Sequence, residues 1–172
     1  MSLFKMAAPV LGAAVLFSAP NLNAQTCAIT PACTVTNTAS ATVNTVARLT
    51  LNVIATDLGT PLEVDYVAGH KDVVGPIVTV LANAAWHVAV VGNTATFGCT
   101  GTGCRAAKPA SDLLWGTVAG TYGANSGASA TLAAGSGTAG TVQPSFYRTN
   151  WALGTDTPGV YTLVLNYTLS EP

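Results

Sequence analysis

Three features of this sequence predict an all-β fold, a single antiparallel β-sandwich of the immunoglobulin-like or pilin-like kind. Apolar residues recur at every second position in several segments, most clearly in 41–55 and 158–172. Turn signals rich in Gly, Pro, Asn or Asp separate these segments at intervals of about ten residues. No long window shows the 3.6-residue spacing of an amphipathic helix, so little or no helix is expected beyond the leader. One antiparallel sheet alone would leave an apolar face in water, so two sheets are expected to pack face to face.

Composition supports the same class. Charged residues make up 8% of the chain, against about 25% in ordinary globular domains. Hydrophobic residues reach 49%. Such a chain suits strands whose outer faces carry Thr, Ser and Asn instead of Lys and Glu. The formal charge of −1 provides no basic patch for nucleic acid and no polybasic segment for a membrane surface.

Residues 1–24 read as a secretory signal peptide. Lys5 gives the positive start and 6–17 the apolar run, shorter than the roughly 20 residues that span a bilayer. Residues 18–24 are small and polar and end on Ala24, so the mature domain is expected to be 25–172. The expected location is secreted, in the periplasm, on the outer cell surface or extracellular, with no membrane insertion after signal removal.

Four cysteines follow the leader, as two close pairs: Cys27 with Cys33 and Cys99 with Cys104. In an exported chain they read as disulfides, and four cysteines allow three connectivities. The local pairing is favoured because each pair brackets a turn. Neither pair has the spacing of a zinc knuckle, and no metal or other cofactor is expected.

Taken in order, residues 34–38 form a short polar strand or lead-in, and 41–55 one strand or two joined by a bend. A loop at 57–61 leads to 62–68, where Leu62, Val64, Tyr66 and Ala68 alternate with Glu63 and Asp65 and predict a strand. Residues 69–72 read as an exposed polar loop, and 76–81 as a strand. Trp86 opens the strand 86–91, for which 94–97 is a hairpin candidate. Residues 111–116 predict a short strand around Trp115. From 113 to 147 no charged residue occurs, and the glycines in that stretch predict short strands joined by turns, centred on 129–133 and 140–142. Pro158-Gly159 then starts the final strand, with Tyr161, Leu163, Leu165, Tyr167 and Leu169 on one face.

Nothing in this sequence assembles a catalytic constellation, and no enzyme activity is expected. Glu63 and Asp65 share a strand face as a carboxylate pair would, but they are assigned to a solvated strand edge. His87 is placed opposite Trp86 on its strand, at an exposed or edge position. There is no Gly-x-Ser-x-Gly elbow and no phosphate-cradling loop. Among the tryptophans, Trp86 and Trp115 are assigned to the core. Trp151, between Asn150 and the end of an aromatic cluster, is the candidate exposed ligand contact.

The leader, the early cysteine, the threonine-rich β body and the closing strand resemble the small secreted subunits of chaperone–usher pili and the spore-coat-U-like proteins of Gram-negative bacteria. In pilus subunits a glycine lies fourteen residues from the end and begins an alternating strand; Gly159 holds that place here. The resemblance implies an assembly strand carried by Gly159, Tyr161, Leu163, Leu165, Tyr167 and Leu169. It also implies partners that are copies of itself or other surface subunits, and a periplasmic chaperone. Two departures stand beside it: Glu171 occupies the usual penultimate aromatic position, and 25–34 offers only Ile29 as a large apolar donor residue. These departures favour a closed sandwich with the final strand in its centre. The expected function is therefore an exported structural or surface protein, of pilus- or coat-subunit type. The alternative is a self-complete sandwich that binds a glycan or a cell-surface protein.

Overall fold

A computed structural model describes residues 32–172. The expected leader, its expected cleavage point and Cys27 lie outside the described residues. Two compact units divide the chain, Met1–Thr42 and Val43–Pro172. In the first, the described residues 32–42 carry no regular structure and all are exposed.

The second unit is antiparallel β throughout, with one short helix among the described residues. Its elements are β1 (Ala47–Leu51), α1 (Glu63–Ala68), β2 (His70–Ala82), β3 (Trp86–Gly92), β4 (Gly98–Thr100), β5 (Leu113–Gly116), β6 (Ala124–Asn125), β7 (Ala130–Gly135), β8 (Thr138–Asn150), β9 (Val160–Thr162) and β10 (Leu165–Ser170). A 3-10 turn, Ala110–Asp112, leads into β5. Five strands form one sheet in the order β1-β2-β8-β5-β6, three form a second in the order β10-β3-β7, and β4 and β9 form a two-stranded ribbon.

The long pair β2 and β8 is the spine of the larger sheet. Its register breaks between Val74 and Ile77, where Pro76 has no N–H for the ladder and a bulge absorbs the mismatch. The Pro76 carbonyl is satisfied by the Ser145 hydroxyl at 2.6 Å. Beyond the break, Val78, Val80 and Ala82 alternate inward. They join Trp86, Val88 and Val90 from β3, Leu113 and Trp115 from β5, Leu132 from β7 and Tyr147 from β8 in one hydrophobic core. Residues of both larger sheets thus share a core, as the period-two patterning requires.

Several expectations from sequence are corrected. Residues 62–68 do not form a strand: Glu63–Ala68 is α1. The Asp65 carboxylate accepts the Leu62 N–H at 2.8 Å, satisfying one of the free amides of the first turn. Gly69 ends the helix at φ 76°, a conformation that costs a glycine little. The 69–72 loop is instead the start of β2, His70 pairing with Asn150. Only Ala47–Leu51 of the long 41–55 segment is a strand, and 34–38 is none. Residues 94–97 do not return as a hairpin; Thr96 bridges Pro109, and Phe97 is buried. The final strand is two strands, β9 on β4 and β10 on β3. β10 lies at the edge of its sheet and not in its centre.

Candidate functional site: the cleft beside the last strand

The residues of the closing segment sort themselves by alternation. Leu165, Tyr167 and Leu169 are half-buried, while Asn166, Thr168 and Ser170 are exposed. The first three pack onto the core. β10 pairs on one side only, with β3, from Leu165 opposite Gly92 to Ser170 opposite His87. β1 likewise pairs on one side only, with β2. Each is the edge of its sheet, and each side leaves a row of main-chain groups without a ladder partner.

Between these two edges lie two cavities. One, of about 580 Å³, is lined by Leu51, Leu58, Tyr147, Trp151, Tyr161 and Leu163 among others. The second, of about 460 Å³, is lined by Ala47, Leu49, Trp86 and Leu169. Residues of β1 and β10 line both cavities, at opposite ends of the two strands, and the two together are called the cleft. Its walls are mainly apolar. Deep in it the Tyr147 and Tyr167 hydroxyls hydrogen-bond each other. Burial pushes both phenols above their ordinary pKa, so both stay neutral.

The outer wall of the cleft is held by the disulfide loop. Cys99 and Cys104 are bonded, with Cα atoms 6.3 Å apart. Cys33 is also disulfide-bonded; the expected partner, Cys27, lies outside the described residues. β4 lays the Cys99 side of the loop against β9, Cys99 opposite Tyr161. A Cβ added at Gly159 would overlap the Cys104 Cβ and come within 3.3 Å of the Thr100 carbonyl oxygen. Close packing of the loop therefore calls for glycine at that position, whatever an assembly motif would require.

Beneath the loop sits a charge cluster that the sequence did not reveal. Lys108 is fully buried. Its Nζ donates to Asp112 Oδ2 at 3.0 Å, Asp156 Oδ2 at 3.1 Å and the Asn150 carbonyl at 2.6 Å. Arg105 completes the cluster at 2.9 Å from Asp156 Oδ1. Burial alone would raise the Asp156 pKa. The Ala152 N–H, Arg105 and Lys108 outweigh it and hold the carboxyl below its usual range. Two acids and two bases cancel, and every Nζ proton has an acceptor, so the cluster is a satisfied network. A charged residue flanked by Ala107 and Pro109 carries no periodic signal that would place it in the interior.

Trp151 is not an exposed platform. It is buried, with Tyr161 edge-on at 5.6 Å, Tyr66 at 6.4 Å and the Lys108 ammonium 4.4 Å from its ring centre. Its role is to floor the cleft and cover the charge cluster. Trp86 and Trp115 are core residues, as expected. Glu63 and Asp65 do not form a carboxylate pair. Asp65 caps α1 and binds Lys71 at 3.0 Å, and these contacts, the cap first, lower its pKa. His87 faces Ser170 across the β3–β10 ladder, 3.0 Å from its hydroxyl. The structure thus gathers Gly159, Tyr161, Leu163, Leu165, Tyr167, Leu169 and Trp151 along or behind one cleft. Cys33 belongs to the first unit, Met1–Thr42. The β1 side of the cleft was not anticipated as a wall; the shortness of the true strand inside the 41–55 pattern hid it.

No family model matches the chain, and neither a curated protein nor a solved structure does.

Proposed function

We propose that this protein is an exported structural subunit, a single antiparallel β-sandwich that assembles by strand addition along the β1–β10 cleft. One observation carries the reading. Two sheet edges flank a cleft lined by half-buried apolar residues, and β10 has one unpaired side. A strand laid there would pair with the β10 main chain and drop alternate side chains into the cleft. It would also cover the sandwich along that side.

The chain carries a segment suited to the role. In 34–43, Val35, Ala39, Ala41 and Val43 alternate with Thr34, Thr36, Thr38, Ser40 and Thr42, with Asn37 the one polar residue in the apolar row. All of these residues are exposed and none is in a strand. The segment has strand patterning and no sheet of its own, so its fit is to the cleft of a second copy or of a related surface subunit. Before assembly, a periplasmic chaperone would cover the same edge. Trp151, being buried, offers no exposed platform to a glycan.

The test is the assembly state of residues 25–172 and of the same protein lacking 34–43, read by light scattering across concentration. The expected result is multimers that resist mild denaturant for the longer chain and monomers for the shorter. A synthetic 34–46 peptide should then bind the shorter chain. A longer chain that stays monomeric at high concentration, with slow β10 amide exchange on both edges, would refute the proposal.

A further inference from the structure

We infer that the Cys99–Cys104 disulfide is a redox switch for this cleft: exchange with a disulfide oxidant, which takes the two electrons and two protons of the thiols, closes the bond and sets the outer wall, and exchange with a dithiol reductant, itself oxidised to a disulfide, reopens the bond and loosens that wall. The inference rests on the reading of the cleft as a strand acceptor and names how that acceptor is controlled. The wall is 159–165, which lines the larger cavity on its β9 side. β9 has one ladder partner, the three-residue β4, and β4 contains Cys99. The ladder attachment of β9 therefore runs through a loop closed by the disulfide, while Tyr161, Leu163 and Leu165 also pack on the core and the Val164 carbonyl accepts the Asn93 N–H at 2.9 Å.

The same loop adds polar attachments to the residues at and before β9. The Thr157 hydroxyl donates to the Gly103 carbonyl at 2.5 Å. The Arg105 N–H donates to the Tyr161 hydroxyl at 3.1 Å, and that hydroxyl donates to the Thr157 carbonyl at 2.6 Å. The Arg105 side chain reaches Asp156 at 2.9 Å. Donors and acceptors on 99–105 are thus matched one by one to 156–162. The six-residue ring closed by the disulfide is what presents them together. Opening it frees the 99–105 backbone and removes the common origin of these contacts. By contrast β3, the ladder partner of β10, makes no contact of this set and has β7 on its other side. Reduction is then a local event at β4 and β9, and the core sheets persist.

The functional consequence is compartmental. In a reducing cytosol the wall is loose and no strand is held; in an oxidising compartment the wall closes and the acceptor is complete. Premature pairing of newly made chains is suppressed while the two thiols are unbonded and is permitted once the bond closes.

Hydrogen exchange tests this on the full mature chain, comparing the oxidised protein with the Cys99→Ser/Cys104→Ser variant, which leaves Cys33 untouched. The β9 amides are expected to exchange up to roughly fortyfold faster in the variant, the loop-closure entropy of a six-residue ring expressed as an opening equilibrium. The β3 amides should be unchanged. Tyr161→Phe, with the disulfide intact, should speed β9 exchange by a smaller factor of about threefold. Affinity for a synthetic 34–46 peptide should fall at least tenfold in the double variant. Unchanged β9 exchange would overturn the switch, and so would equal loosening of β3, which would make the bond a global staple. If β9 loosens as expected while the oxidised protein ignores the peptide, the switch stands and the strand-acceptor reading fails.

Discussion

Replacing Lys108 by Met keeps the length of the side chain and removes its charge. Asp156, whose side chain is 1% exposed, then keeps only Arg105 and the Ala152 N–H, and the Asn150 carbonyl loses its 2.6 Å donor. Taking one partner from a buried ion pair costs about 3–5 kcal/mol, because the other charge is left behind without compensation. Arg105 stays in place but is 30% exposed and partly screened, so the lower end applies, about 3 kcal/mol. For a domain of this size that is a fall in Tm of roughly 6–12 °C. The pH dependence follows from Asp156. Its folded pKa is depressed, so it contributes stability above its unfolded pKa, and that contribution is lost as pH falls through the folded value. The variant has less of this contribution to lose. The deficit should therefore be largest near neutrality and shrink below about pH 4. Urea denaturation of both proteins at pH 7 and at acid pH measures it. Adding Asp156→Leu should recover part of the loss, since a buried pair replaced as a unit is often neutral. A deficit under about 1 kcal/mol, or one that does not change with pH, would refute the view that this cluster is a mutually dependent network.

Two further outcomes follow from the same contacts. Gly159→Ala forces a Cβ into Cys104 and the Thr100 carbonyl oxygen; overpacking of this kind costs about 1–3 kcal/mol, and thermal denaturation should show it even in protein that never assembles. Arg148→Gln breaks the two 2.7 Å bonds to Asp72 on the outer face of β2 and β8. The pair is partly exposed, so the loss should stay below about 1 kcal/mol. Arg148 is the first cause of the lowered Asp72 pKa, so that small loss should fade as acid protonates Asp72.

The patterning of single strands was readable wherever a strand is half-buried. The 86–91 segment, the 76–81 core of β2 and the alternation of 165–169 all stand where their side chains predicted. The helix at Glu63–Ala68 was missed because a seven-residue window satisfies both periods; Pro61, the acids at 63 and 65 and Gly69 were the local clues to a short helix. The break in the closing strand left no trace in the alternation, since Leu163 and Val164 suit either a continuous strand or a change of partner. Lys108 was invisible for a different reason. Burial of a lysine depends on Asp112, Asn150 and Asp156, and two of these lie more than forty positions away.

What the chain determined by itself was its class: strands of period two, glycine turns, few charges, and cysteines placed close enough to close a small loop. These are local properties, set by backbone sterics and by which face each side chain prefers. What only the tertiary structure decided was which edges remain open. Pairing is a choice among strands far apart in sequence, made by the packing of the whole core. That choice put β10 at an edge opposite β1, folded Trp151 inward over Lys108, and turned Gly159 into the contact point of a disulfide loop.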